Sequence, residues 1–249
     1  MLYNVMDSDT SHRTSDIPQF NIEELPESSY NLFLGKRRSG KSVLCEYMIQ
    51  EMIDAKLIDM VFLFSKTNAG FKLIKDKECR FDSIDKLHDL LDNYKMINNY
   101  NKVVGKRDQV KIRTAIIIDD FSVEMKNKSM NILEDLAVRG RHISYSPLCL
   151  HFFILCQSLT KVPRVCRLNS DTIFFNAIAS MRELEMILDE NMYCISTSRE
   201  GKREGRTLYE NLVKEKDYQF IGILNYKQNI KKYSCYIRTY TADVSKLKL

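Results

Sequence analysis

The chain has 249 residues, 44% of them hydrophobic and 29% charged, with a formal charge of +5 at pH 7. That is the balance of a soluble globular protein built as one large α/β domain or two small ones, and with only 8 Gly and 4 Pro it excludes collagen-like and loop-dominated architectures. The excess of 38 Lys and Arg over 33 Asp and Glu is too small to prove nucleic-acid binding, so the placement of the basic residues has to decide.

Residues 1–27 are polar and aperiodic, and read as an N-terminal arm that is extended or partly disordered. Residues 30–34 are a short apolar run that stops at Gly35, the pattern of a buried strand. Leu44, Met48, Met52 and Ala55 then recur at helical spacing, and 60–64 reads as a second strand. A helix is predicted over 84–100 and a polar, basic surface connection over 98–113. Residues 115–118 form a third strand that runs into Asp119-Asp120. A helix over 130–138 is predicted to end at Gly140. Strands follow at 148–156 and 172–175, a helix at 181–188, a basic loop at 196–206, a short helix at 208–215 and two final strands at 220–225 and 233–240. Strands alternating with helices predict a mainly parallel central sheet with helices on both faces and a C-terminal β extension.

The longest apolar stretch, 148–156, is half the length of a membrane span and contains His151. The first residues carry neither a basic region nor an apolar one, so no signal peptide is expected. Seven cysteines without a Cys-x-x-Cys pair read as reduced, mostly buried thiols, and the four histidines lack metal-ligand spacing.

Chemistry enters at Gly35-Lys36-Arg37-Arg38-Ser39-Gly40-Lys41-Ser42, which fits G-x-x-x-x-G-K-[ST] without a mismatch, after a predicted strand and at the start of a predicted helix. Chance produces such a match in roughly 1% of chains this long. The glycines let the backbone turn its N–H groups inward on phosphate oxygens, and the helix N-terminus adds partial positive charge. Lys41 is placed to reach the β- and γ-phosphates and Ser42 to ligate Mg²⁺, and the nucleotide-binding stretch is taken to Val43. An apolar strand ending in two acids would be a solvated turn on its own. Downstream of a phosphate loop, Asp119 becomes the metal-side acid and Asp120 the group that orients or deprotonates water.

The strand at 148–156 ends in Gln157. Additional-strand ATPases insert one strand between the loop strand and the acidic strand, and an amide at its tip can bridge a water and a phosphate oxygen. Arg139-Gly140-Arg141-His142 lies at a helix C-terminus, where basic residues are favoured by the dipole alone. Arg141 is also the preferred candidate for an arginine offered to a neighbouring subunit's nucleotide, with Arg164, Arg167, Arg182 and Arg199 as rivals.

The ordered set G-K-R-R-S-G-K-S, I-I-I-D-D, R-G-R-H and L-C-Q-S-L-T-K-V-P resembles the DNA-packaging ATPases of poxviruses, other large nucleocytoplasmic DNA viruses and virophages, within the FtsK–HerA superfamily. The resemblance spans about residues 31–176 and implies an additional-strand, RecA-like P-loop NTPase over 28–249, with a core at 28–180 and an extension at 181–249. It implies a motor that burns ATP with Mg²⁺, forms a homo-oligomeric ring (pentamer or hexamer), drives double-stranded DNA into a preformed capsid, and meets capsid or portal proteins. It places the protein in host cytoplasm, a viral factory or the virion. Lys41, Ser42, Asp119 and Gln157 fall on the family's nucleotide positions, whereas Asp120 stands where the superfamily at large has Glu. Residues 144–147 lengthen the turn after Arg141 compared with bacterial members.

Arg199, Lys202, Arg203 and Arg206, flanked by two glycines, read as a mobile cationic loop that grips DNA phosphates without reading sequence. Two further basic stretches are Lys102, Lys106, Arg107, Lys111 and Arg113, and Lys227, Lys231 and Lys232. The alternatives are a helicase-like or conjugative DNA pump of the same superfamily, a small-molecule kinase, and a non-catalytic nucleotide switch, against which the second acid argues.

Overall fold

The computed structural model describes residues 17–67, 71–119, 121, 129–143, 148–178, 180–192, 199–227 and 235–247, with the backbone alone at 129–131 and 141–143. The elements in chain order are β1 (Ser29–Leu34), α1 (Lys41–Asp54), β2 (Met60–Ser65), β3 (Arg80–Phe81), α2 (Lys86–Val103), β4 (Ile112–Asp119), α3 (Ser129–Ile143), β5 (Leu148–Cys156), α4 (Arg164–Leu168), β6 (Thr172–Phe175), α5 (Met181–Asn191), α6 (Arg199–Glu215), β7 (Phe220–Leu224) and β8 (Ile237–Tyr240). The strands form one sheet in the order β3-β2-β4-β5-β1-β6-β7-β8. The first six in that order are parallel, and β7 and β8 are added antiparallel to their neighbours. β1 and β5 are buried along their whole length, which explains why they read as mainly apolar runs rather than as strict alternation. β5 lies between β1 and β4, so the predicted additional-strand α/β arrangement is the observed one.

Several elements depart from expectation, each for a physical reason. The predicted basic loop is, from Arg199 onward, the first turns of α6. Gly201, Gly205 and Leu212 are its buried face, at spacings that put them on one side of the helix. Lys202 pairs with Asp189 at 2.8 Å and Arg206 with Glu185, both on α5, so half of the expected mobile cations are held by carboxylates. The predicted surface connection begins later than expected, because α2 continues to Val103. Asn101 is 4% exposed, and its amide donates to the Val110 carbonyl at 2.9 Å and accepts the Val110 N–H at 2.8 Å, stapling the connection that follows. Gly140 does not end its helix. α3 runs on to Ile143, so the glycine is not a cap, and a Cβ there would make only an ordinary 3.8 Å contact with the Phe152 ring.

The described part of the N-terminal arm is not a free tail. Gln19 bridges Thr239 in parallel, the Phe20 N–H donates to the Thr239 carbonyl at 2.8 Å, and the Thr239 N–H donates to the Pro18 carbonyl at 3.0 Å. Phe20 sets its ring edge-on to Phe174 and Tyr240, with centroids 5.0 and 5.1 Å away. Glu24 receives Arg238 at 2.6 Å and Lys227 at 2.8 Å. Burial opposes its ionisation, but the hydrogen bonds from Arg238 and Lys227 outweigh that and hold the carboxyl at about 2.

Away from the phosphate loop, a polar ladder crosses β5, β1 and β6 inside the sheet. His151 Nδ1 shares a 2.8 Å hydrogen bond with Ser29 Oγ, Asn31 Nδ2 donates to Ser29 Oγ at 2.8 Å and to the Phe152 carbonyl at 3.0 Å, and Thr172 Oγ1 donates to Asn31 Oδ1 at 2.7 Å. All four side chains belong to buried residues, so each needs these partners. Burial pushes the His151 imidazole from 6.5 down to about 4. Within that window the unfolded chain binds a proton that the folded chain refuses, so stability is expected to fall as pH drops from 6.5 to 4, by up to about 3 kcal/mol. Urea midpoints measured across this range should decline in the wild type and lose that part of the slope in His151→Asn.

Candidate nucleotide site

Between β1 and α1 the backbone makes one tight turn, and both glycines of the motif are needed for it. A Cβ on Gly35 would stand 2.5 Å from the Asn176 carbonyl oxygen and 2.7 Å from Ser39 Oγ, so only glycine lets the loop pass this close to the end of β6. Gly40 is the N-cap of α1 with φ 88°, in the left-handed region. It offers no side chain to cap the helix, and the first turn of α1 contains no acidic residue. The amides at this helix start therefore keep their partial positive charge for an outside anion. Ser39 is 5% exposed, and its hydroxyl has no hydrogen-bond partner. An unpartnered buried hydroxyl beside the glycine-capped start of α1 fits phosphate oxygens.

Lys41 is 9% exposed and bends back over the loop, donating from Nζ to the Gly35 carbonyl at 2.6 Å and to the Lys36 carbonyl at 3.1 Å. The ammonium is thus held above the loop mouth by the loop itself. Lys36, Arg37 and Arg38 are exposed at its rim. Ser42, one residue into α1, donates from Oγ to Asp119 Oδ2 at 3.4 Å. Asp119 is the last residue of β4, half-buried, and lies in register with Leu155 of β5 and Ser65 of β2. A hydroxyl and a carboxylate, both hard oxygen donors, face each other across the site, which is the pairing that Mg²⁺ prefers. The two nearby thiols contribute no charge. Burial, reinforced by Asp119, pushes Cys45 well above its ordinary value and Cys156 up to about 12.

Register places the remaining sequence-predicted residues. The Gly35 N–H donates to the Cys156 carbonyl at 3.3 Å, so Gln157, the next residue, stands exposed beside the start of the loop. Asp120 lies outside the described residues, as do residues 144–147. Arg141 falls in the last turn of α3, with its side chain outside what is described. Among the rival arginines, Arg167 is committed elsewhere: it is 7% exposed, clasps Glu190 through two nitrogens at 2.8 and 2.9 Å, and donates to the Val162 carbonyl at 2.8 Å. Sequence reasoning missed Asn176, which walls off Gly35, Ala177, whose carbonyl accepts the Lys36 N–H at 3.4 Å, and Tyr218, whose ring lies against Gly40. None carries a motif; only the pairing of β1 with β6 and of β6 with β7 brings them here.

A phosphate loop on β1, an acid on β4 and a strand inserted between them define an additional-strand P-loop NTPase fold. Residues 17–237 match the family model described as the Poxvirus A32 protein, and the chain belongs to that family. Its fold is similar to that of the genome packaging NTPase B204 from Sulfolobus turreted icosahedral virus 2, solved in complex with ATPγS: TM-score 0.56 at 15% identity, covering 86% of this chain and 98% of that one. It is also similar to the pCW3 conjugation coupling protein TcpA with ATPγS, with TM-score 0.57 at 14% identity over 87% of this chain and 60% of that one. The DNA-packaging ATPase B204 of Sulfolobus turreted icosahedral virus gives TM-score 0.53 at 14% identity, over 86% and 97% of the two chains. Comparison with curated proteins gives no match. Among the described residues no helix is long and apolar enough to cross a membrane.

Because the atom that a Gly35 side chain would strike is backbone, it cannot swing aside. Gly35→Ala is expected to lower stability by about 1–3 kcal/mol. Denaturant unfolding of the purified variant measures it, and a midpoint equal to wild type would show that the loop has room.

Proposed function

We propose that this chain is a viral genome-packaging ATPase that hydrolyses ATP with Mg²⁺ and drives double-stranded DNA into a preformed capsid as a homo-oligomeric ring. The observation that carries the reading is the glycine loop at the start of α1, with Lys41 bent back over it and Ser42 facing Asp119, in a chain of the Poxvirus A32 protein family. The B204 structures support it, being named as packaging enzymes and solved with ATP analogues.

In this reading the loop from Gly35 to Val43 cradles the phosphates, and Lys41 leaves the loop carbonyls to neutralise the β- and γ-phosphates. Ser42 and Asp119 would hold Mg²⁺, which when bound would supply positive charge at the phosphate oxygens. Asp120 orients the attacking water and accepts its proton; being one methylene shorter than Glu, it must sit closer to that water. Gln157 bridges the water and a phosphate oxygen. Arg141 is offered to the nucleotide of a neighbouring subunit, the kind of contribution worth about 10³–10⁵ in rate. The workplace is host cytoplasm or a viral factory, with capsid or portal proteins as partners.

The DNA contact narrows within the basic group of α6. Lys202 and Arg206 are tied to α5, whereas Arg199 and Arg203, one helical turn apart, remain exposed. These two are the phosphate-gripping pair of that group. Lys102, Lys106, Arg107 and Lys111 are exposed as well, while Arg113 is tied to Asp59 at 2.6 Å.

Steady-state ATP hydrolysis should rise several-fold on adding double-stranded DNA and lose that stimulation at high salt. Lys41→Ala should reduce turnover by at least about 100-fold under all conditions. Turnover indifferent to DNA in an assembled protein would point to a different acceptor. Removing Arg199 and Arg203 together should weaken DNA binding equally on any sequence and flatten the plot of log affinity against log salt by about two units, read by fluorescence anisotropy.

A further inference from the structure

Tyr218 occupies a position that folding alone does not explain. It lies in the turn between α6 and β7, in the left-handed region at φ 57°, and is 64% exposed. A bulky residue in this conformation carries strain on the order of 1–3 kcal/mol, and an exposed one recovers little of it by burial. The turn is nonetheless fixed. The Gln219 N–H donates to the Lys216 carbonyl at 3.2 Å, and the buried Gln219 amide donates to the Leu212 carbonyl at 2.9 Å. The result is that the Tyr218 ring is held against the phosphate loop: Cδ1 and Cγ would be 3.1 and 3.8 Å from a Cβ on Gly40, with the buried Phe220 ring behind at 3.9 Å.

Of the five described non-glycine residues with positive φ, three gather at this mouth. Arg38, at 64°, is in the loop; Ala177, at 47°, accepts the Lys36 N–H; Tyr218 touches Gly40. Strain concentrated around one opening marks a ligand site. The amides and Lys41 account for phosphate, but not for an aromatic face set beside the loop's last glycine. The part of a nucleotide that needs such a face is its base, carried one sugar beyond the phosphates.

We propose that Tyr218 is the platform on which the nucleobase stacks. The proposal rests on the nucleoside triphosphate reading of the loop and deepens it. Every base has a π-face, so the contact adds affinity without choosing among bases. The chain itself contains no tryptophan, which makes a substitution at this position an isolated reporter.

The test compares ATP with inorganic tripolyphosphate, which has the charge but no base, by calorimetric titration of the full chain. Tyr218→Asn removes the ring while keeping a residue that tolerates the left-handed turn. It should weaken ATP and GTP alike by about 5- to 100-fold and leave tripolyphosphate unchanged, whereas Tyr218→Phe should bind ATP as wild type does. In Tyr218→Trp, the lone indole emission should shift on adding ATP and not on adding tripolyphosphate. Equal weakening of ATP and tripolyphosphate in Tyr218→Asn would overturn the proposal and make the ring a prop for Gly40. Unchanged ATP affinity would overturn it too. A wild-type chain that binds neither ligand would overturn the nucleotide reading and this proposal with it.

Discussion

One backbone hydrogen bond, from the Gly35 N–H to the Cys156 carbonyl, shows what the site depends on: the parallel register of β1 against β5, and of β5 against β4. Parallel strands whose ends are level bring their following residues to one line. Here that line carries the phosphate loop, Gln157 and Asp119 in turn. Slipping β5 by one residue would reverse which face each of its side chains presents and move Gln157 away from the loop. The register is held from the far end of the same strands, where Asn31 reaches Ser29, the Phe152 carbonyl and Thr172, and Ser29 reaches His151. Buried polar groups have few ways to be satisfied, so this ladder admits one alignment where an all-apolar interface would admit several.

The other half of the sheet does a different job. β7 runs against the parallel strands beside β6, the strand next to the loop strand, and β8 turns back along β7 to widen the sheet. Gly222 on β7 is required by packing: a Cβ there would be 2.7 Å from the Phe174 ring. Phe174 in turn stacks on Phe33 of β1 with centroids 5.1 Å apart and meets Phe20 of the arm. Residues 18–20 cover the edge of β8, which would otherwise present open backbone groups to another chain. Glu24 fastens that cover, and its charge stays tied to Arg238 and Lys227 well into acid.

The nucleotide half was legible because its chemistry is local. The glycine loop, the helix after it, the acidic strand and the inserted strand are each contiguous in sequence, and apolar runs report burial on both faces directly. What was hidden is what depends on distant partners. Asn101 looks like a surface residue until its amide is seen to staple Val110. The stretch Arg199-Glu200-Gly201-Lys202-Arg203-Glu204-Gly205-Arg206 looks like a loop because glycine is counted as a breaker, yet those glycines form the buried side of a helix, and two of its four cations, Lys202 and Arg206, are matched on α5. Tyr218 follows a polar stretch and fits no periodicity; an antiparallel pairing three strands from β5 delivers it to Gly40.

The pairing of Thr239 with Pro18 and Phe20 has one more consequence. The segment before β1 and the last strand of the sheet share an edge, separated from the loop strand by β6 and β7. Joining the two segments by a linker long enough to return along the edge, since they run parallel, and opening the chain elsewhere would reorder the sequence while leaving the register of β4, β5 and β1 untouched. A circularly permuted chain is therefore compatible with this architecture, provided the new ends avoid the strand tips that carry Gly35, Asp119 and Gln157.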